Sequence, residues 1–194
     1  MRTVGNTVGS LSEVQRELVL GCLLGDGAMR CKTNALLEIN HSFQQRAYVD
    51  FKHQHLAPLV RTPPRKRNGN GERIAYRFVT RSLPELTPFY RQFYVGRKVI
   101  PELVLAPLTM AVWFMDDGSR SRNAVYLNTQ QFDIESQMRL LLLLKEQWGI
   151  LGRLNKDKCY KRIRLSVEST RRFVQVIEPH LLPEFRYKLP QVTP

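Results

Sequence analysis

The stretch Val19-Leu20-Gly21-Cys22-Leu23-Leu24-Gly25-Asp26-Gly27 decides the fold of this chain. It is a nearly all-apolar helical run, with small residues at Gly21 and Gly25 and a single acid at its far end. A second run of the same design follows at Met110-Ala111-Val112-Trp113-Phe114-Met115-Asp116-Asp117-Gly118. The C-terminal end of a helix carries roughly half a negative charge, so a carboxylate there costs about 0.3–1 kcal/mol. A residue that is locally unfavourable at two equivalent places is a candidate for function.

The surroundings of each run repeat as well. Ser12 reads as an N-cap with Gln15 completing a capping box, which predicts a helix over 13–24. A polar connector (Arg30, Lys32, Thr33, Asn34) leads to a strand over 35–43 and an amphipathic helix over 45–56. Residues 62–71 read as a basic, turn-forming loop. The stretch 73–81 then alternates, with Ile74, Tyr76 and Phe78 on one face. A helix over 84–94 precedes Lys98-Val99-Ile100-Pro101. The order then restarts: helix 107–116, polar connector 119–123, strand 124–130 and Leu-rich helix 134–148. A strand–turn–strand follows, with Lys156, Asp157 and Lys158 in the turn. Ile163, Leu165 and Val167 face inward there, and Arg162 and Arg164 outward. A helix over 170–180 and Tyr187-Lys188-Leu189-Pro190 close the chain. Asp26 to Lys98 spans 72 positions (98 − 26) and Asp117 to Lys188 spans 71 (188 − 117). A period of about 90 residues is too long for a solenoid repeat. It predicts two fused pseudo-symmetric halves, 11–101 and 105–194.

Composition bounds what those halves do. The 194 residues are 43% hydrophobic and carry 30 Lys and Arg against 17 Asp and Glu, a formal net charge of +13. That supports a folded core and excludes a disordered chain. The positive excess calls for a polyanionic partner, nucleic acid first, because phosphate contacts release counterions. The three cysteines have no metal-ligand spacing and fit a reducing, intracellular compartment. No apolar run is long enough for a transmembrane helix, so no membrane partner is expected. Met1–Ser10 resembles neither a secretory signal nor an Arg-rich transit peptide. The expected location is a prokaryotic cytoplasm, or a mitochondrion or chloroplast whose own genome encodes the protein. The short extensions beyond the two halves predict no extra domain.

A pseudo-two-fold axis has a natural place between the two apolar helices, where Gly21, Gly25 and Ala111 permit close backbone approach. Side-by-side packing would bring Asp26 and Asp117 together, and two close carboxylates repel. A shared divalent cation relieves the repulsion and offsets the helix-end penalty. Oxygen donors without nearby His or Cys point to Mg²⁺, with Mn²⁺ able to substitute, rather than Zn²⁺. Aligning the Asp-Gly pairs makes Asp117 the equivalent of Asp26. Gly25 and Asp116 then correspond, and their main-chain carbonyls become candidate metal contacts. Two acids, Mg²⁺ and a basic protein point to phosphodiester hydrolysis, one acid serving each strand. Lys98 and Lys188 would stand beside them as charge stabilisers or water-orienting groups.

These residues resemble the LAGLIDADG homing endonuclease family in its single-chain, two-motif form. Both apolar runs fit the motif. Trp113–Gly118, Leu127-Asn128-Thr129-Gln130, Tyr187–Pro190, Pro63-Pro64 and Ala47-Tyr48 extend the similarity over most of the chain. The resemblance implies an α+β fold, an αββαββα unit present twice, whose antiparallel saddle-shaped sheets straddle double-stranded DNA. It implies a monomer that makes double-strand breaks at a long asymmetric target in intron or intein homing, leaving 3′ overhangs. In that family the last acid of each motif, here Asp26 and Asp117, is the catalytic metal ligand. Lys98 and Lys188 match its active-site lysines, and Gln130 matches a polar site position. The first half has Asn40-His41-Ser42 there, so the pseudo-symmetry is imperfect and those three are left without a role.

Strand alternation points Arg73, Arg77, Arg162 and Arg164 outward, where arginine reads guanine in the major groove. Arg30, Lys32, Arg120, Arg122, Asn123, Lys156, Lys158 and Lys161 lie in connectors and turns and suit phosphate, and Arg65, Lys66 and Arg67 of the basic loop are further DNA-binding candidates. Two other functions fit parts of the pattern. An RNA-binding splicing maturase on the same fold would take intron RNA as partner. A non-catalytic DNA-binding regulator would not need two helix-end acids.

Overall fold

The structure, a computed structural model, describes residues 11–69 and 73–190. The N-terminal segment Met1–Ser10, the end of the basic loop at Asn70 and Gly71, and the final residues 191–194 of the second half lie outside the described residues. Two compact units meet between Arg91 and Gln92.

In the first unit α1 (Glu13–Leu24) starts at the expected capping box. The Gln15 N–H donates to the Ser12 hydroxyl at 3.2 Å, and the Ser12 N–H donates to Gln15 Oε1 at 3.0 Å. Strands β1 (Ala28–Cys31) and β2 (Ala35–Ser42) form a hairpin, followed by α2 (Arg46–Leu56), β3 (Arg65–Asn68) and β4 (Ile74–Val79). Helix α3 (Thr87–Phe93) crosses the boundary between units. The sheet order is β1-β2-β4-β3, antiparallel throughout. Leu37 and Ile39 of β2 and Phe78 of β4 are buried, as are Tyr48, Val49 and Leu56 of the helix that covers them.

The second unit repeats the order. Two-residue strands β5 (Tyr94–Val95) and β6 (Arg97–Lys98) precede α4 (Pro107–Asp117), β7 (Gly118–Ser121), β8 (Ala124–Leu127), α5 (Ile134–Trp148), β9 (Gly152–Asp157), β10 (Tyr160–Leu165) and α6 (Val167–Ile177). Its sheet runs β7-β8-β10-β9, the same order as the first. Every residue from Leu108 to Met115 is buried, and the Phe114 ring meets Phe173 of α6 edge-on at 5.9 Å. The fold is therefore α+β, built from two αββαββα units. Among the described residues no helix is long and apolar enough to cross a membrane.

Four sequence expectations change. The polar connectors at Arg30 and at Ser119–Asn123 contain strands: β1 pairs Met29 with Leu37, and β7 pairs Arg120 with Val125. They are only four residues long, and β1 buries Met29 alone, so alternation has no room to show. The loop carrying Arg65, Lys66 and Arg67 is edge strand β3, exposed at all four positions. Charged residues are how sheets guard an edge, so the pattern that hides this strand is also what protects it. Strand β8 ends at Leu127 rather than at Gln130. Val167 is the first residue of α6 and is exposed, because the Ser166 hydroxyl caps the helix by accepting from the Ser169 N–H at 3.1 Å.

The glycine after each acid is fixed by close approach. A Cβ on Gly27 would stand 2.7 Å from the Cys22 carbonyl oxygen, and one on Gly118 would run into the ring and carbonyl of Phe114. Gly118→Ala should destabilise the protein by about 1–3 kcal/mol, the usual cost of overpacking, read as a lower midpoint in thermal or denaturant unfolding.

Candidate catalytic acids and basic sheet surfaces

Both acids stand where an apolar helix turns into a strand. After α1 the Gly25 N–H donates to the carbonyls of Gly21 and Cys22 at 3.1 and 3.2 Å, and the Gly27 N–H returns to Cys22 at 2.8 Å. This tight turn puts Asp26 outside the last helical turn with its side chain 50% exposed. Asp117 is the final residue of α4, and its carbonyl accepts from the Asn128 N–H at 2.9 Å, which ties the helix end to the end of β8.

In the second unit the acid is part of a chain of contacts. The Gln131 side-chain amide donates to Asp117 Oδ2 at 3.1 Å, and Lys98 Nζ donates to Gln131 Oε1 at 3.1 Å. The amide orientation is thereby set at both ends. Lys98 is held in place by its neighbours: Arg97 pairs with Asp133, and the Ile100 N–H donates to the Ser136 hydroxyl at 3.1 Å. By these contacts residues 97–100 join the second unit, although the repeat assigns Lys98 to the first half. Lys188 Nζ donates to the carbonyl of Met115 at 2.6 Å and to that of Asp116 at 3.3 Å. It therefore neutralises the negative end of α4 through the main chain. The Asp116 carbonyl, expected as a metal contact, thus accepts a lysine proton. Gln130, the polar residue named from the sequence, turns away and donates to Asp157 Oδ2 at 2.7 Å. Its neighbour Gln131 is the one that meets Asp117.

In the first unit Asp26 Oδ2 lies 3.7 Å from Nδ1 of buried His41. They line, with Arg30, Glu38, Asn40 and Arg73, a hollow of about 550 Å³. The His41 contact is invisible in the sequence, because it depends on the pairing of β1 with β2. Exposed carboxylate oxygens are hard donors that suit a divalent cation, and the His41 imidazole stands beside those of Asp26.

The basic residues divide into anchored and free-swinging sets. Glu38 on β2 holds Arg30 and Arg77 together, the latter at 3.2 Å. In the second unit Tyr126 takes the corresponding strand position, and its ring lies under Arg162 at 4.2 Å and Arg164 at 5.9 Å. Arg162 also donates to Asn128 Oδ1 at 3.0 Å. Arg65, Lys66, Arg67 and Arg77 line a basic cleft of about 790 Å³ with Arg61 and Arg81. Lys32, Arg73, Arg122, Lys156, Lys158 and Lys161 are exposed, and Arg120 donates to the Leu189 carbonyl at 3.4 Å. Sequence reasoning missed Glu38 and Tyr126, whose signal is an acid and an aromatic at matched places among outward arginines.

The profile of the LAGLIDADG DNA endonuclease family matches residues 16–173. The chain belongs to this family. Among solved structures it is similar to the homing endonuclease I-WcaI bound to its DNA recognition sequence, with a TM-score of 0.84 and 25% identity over 93% of this chain and 87% of that one. Among sequences it is similar to protein RecA of Mycobacterium gastri, 33% identical over 92% of this chain and 48% of that protein. It is also similar to the cytochrome b mRNA maturase bI2 of Debaryomyces hansenii, 26% identical over 92% of this chain and 74% of the maturase. The chain thus spans about half the length of the RecA protein it matches. Asp26 and Asp117 both lie within the matched residues, and each has its own polar neighbour: His41 at 3.7 Å from Asp26, and Gln131 at 3.1 Å from Asp117.

Asp133 caps α5 and secures the segment that presents Lys98. The Ser136 backbone N–H, then the Ser136 hydroxyl and the Arg97 guanidinium, hold its carboxyl below the ordinary 3.8, outweighing its partial burial. A depressed carboxyl stabilises the fold above its unfolded value and loses that contribution as pH falls through the folded value. Asp133→Ala should cost about 0.5–2 kcal/mol at neutral pH. The gap from wild type should close only as unfolding is measured below pH 3.8.

Proposed function

We propose that this chain is a site-specific DNA endonuclease that hydrolyses one phosphodiester in each strand of a long asymmetric duplex target. The observation that carries the proposal is the duplicated helix-end acid, Asp26 and Asp117, in a chain of net charge +13 that belongs to the LAGLIDADG family. Asp26 and Asp117 would hold Mg²⁺, or Mn²⁺ in its place, which supplies charge neutralisation at the scissile phosphate and an activated water. Gly25 and Asp116 lend main-chain oxygens at the same helix ends.

The chain's own residues do the rest. Gln131 holds the Asp117 carboxylate in one orientation, and Lys98 holds Gln131. Lys188 keeps the end of α4 electrically tolerable for a second negative group, the phosphate. Arg73, Arg77, Arg162 and Arg164 face outward for base edges, Arg77 held by Glu38 and Arg162 and Arg164 by the Tyr126 ring. Arg30, Lys32, Arg65, Lys66, Arg67, Arg120, Arg122, Lys156, Lys158 and Lys161 supply phosphate contacts. We take the working form to be a monomer acting inside a cell or organelle in the homing of an intron or intein.

A second reading, an RNA-binding splicing maturase, is favoured by the likeness to the Debaryomyces maturase. The presence of both acids and both lysines weighs towards cleavage.

The test uses a plasmid carrying the joined sequence that flanks this reading frame, with Mg²⁺. Wild type should cut it once, and less well as salt rises, because binding releases counterions. Asp26→Asn and Asp117→Asn should each abolish the double-strand break while gel-shift binding persists. Continued cleavage by both variants removes the acids from the mechanism. Tight binding of the flanking intron RNA without cleavage by wild type selects the maturase.

A further inference from the structure

The first unit carries a feature that its twin lacks: a lysine with no exposed surface. Lys52 of α2 is 0% exposed, and its ammonium lies 3.1 Å from His41 Nε2 and 4.0 Å from the centre of the Tyr48 ring. His41 is itself 7% exposed, and its other nitrogen, Nδ1, faces Asp26 at 3.7 Å. The counterpart position can be read from the shared topology. The cap residues of α2 and α5, Gln45 and Asp133, each stand four positions after His41 and Thr129 respectively, so Lys52 corresponds to Leu140. Leu140 is fully buried, and Thr129 is satisfied by neutral partners: Gln137 Oε1 at 2.9 Å and the Ile163 N–H at 3.3 Å. One half thus buries a lysine where the other buries a leucine. Taking an ammonium out of water is expensive, and the ring face of Tyr48 offsets only part of the cost.

We propose that Lys52 is a positioning residue for the Asp26 half-site, acting through His41. An ammonium has three donors and no acceptor, so the contact makes His41 Nε2 the acceptor. The single imidazole proton then belongs on Nδ1, the nitrogen that faces Asp26. His41 thereby turns an N–H rather than a lone pair towards the Asp26 carboxylate, across 3.7 Å, a separation that must shorten in the working complex to become a hydrogen bond. Closed onto one carboxylate oxygen, that N–H would orient the acid, the kind of outer support whose loss costs about 10–100-fold in affinity or activity. On the Asp117 side the same service falls to the Gln131 amide, itself held by Lys98. The two half-sites therefore orient equivalent acids by different chemistry, one through a buried cation and imidazole, the other through an exposed lysine and amide. This inference rests on the endonuclease reading for its consequence, but not for its geometry.

Two measurements separate them. In the metal-free protein, the imidazole ¹H–¹⁵N spectrum, with His41 assigned through His41→Asn, should show the proton on Nδ1 and a bare Nε2. In Lys52→Met the Nε2 constraint is gone, and the His41 signals should move to the other tautomer or to an exchange average. A His41 that carries its proton on Nε2 in wild type, or that is unchanged by Lys52→Met, overturns the proposal. The second measurement follows each strand of an end-labelled target duplex. Lys52→Met should slow one strand by roughly 10–100-fold, leaving the other strand and DNA affinity at wild-type levels. Adding Lys52→Met to His41→Asn should slow that strand no further, as expected when one residue acts through the other. Equal slowing of both strands, or additive losses, would mark Lys52 as merely structural. If Lys52→Met does not fold, His41→Asn alone must give the same one-strand defect. Should wild type cut neither strand, the endonuclease reading falls and the imidazole spectrum decides the Lys52 proposal by itself.

Discussion

The carbonyl oxygens at the end of α4, which look for partners outside the helix's own i→i−4 ladder, impose the condition that the rest of the second unit satisfies. A helix leaves its last carbonyls without intrahelical partners, and their summed dipole is negative. Asp117 adds a full negative charge at that same point, and a bound phosphate would add another. Lys188, far along the chain, returns its ammonium to the carbonyls of Met115 and Asp116, and the Lys98–Gln131 pair meets the carboxylate. These contacts explain why a chain that ends an apolar helix in two acids still folds around it. The charge at the helix end needs a cation that the local sequence, ending in Asp116-Asp117-Gly118, does not contain.

Duplication fixed the scaffold and left the side-chain chemistry to diverge. The sheets share one strand order, and the glycine after each acid is demanded twice by the same close approach to the helix. On the open faces the solutions differ. Glu38 gathers arginines by charge, whereas Tyr126 gathers them by its ring. Both devices hold arginines in place on the open face of a strand, one by a carboxylate and the other by a ring.

How much of this was legible in the sequence depends on how local the cause was. Helices α1, α4 and α5 announced themselves through capping residues and apolar runs long enough to display a period. Strands β1 and β7 were too short to do so, and β3 carries nothing apolar. The acids were legible because they were locally wrong twice over, and the lysines because they trailed the acids at matched distance. Gln131 was not, because β8 stops at Leu127; past a strand's end, alternation no longer says which of two neighbouring glutamines turns inward. His41 was discounted for breaking the pseudo-symmetry, which is the property that gives it a distinct place.

Lys52 shows the limit most plainly. On a helical wheel of α2, among Asp50, His53, Gln54 and His55, a lysine reads as one more solvated charge. Its burial follows from the sheet beneath it and from His41, eleven residues earlier in sequence and adjacent only after β2 and α2 have packed. A fold that tolerated leucine at the corresponding place in the other half had no structural need of a cation here. The cost of burying the Lys52 amine is offset in part by His41 Nε2 at 3.1 Å and the Tyr48 ring at 4.0 Å, and His41 is also a group that faces Asp26. Pseudo-symmetry, which made the acids visible in the sequence, is here informative by its failure: Lys52 and Leu140 differ in charge at equivalent places, and Lys52 contacts the imidazole that faces Asp26.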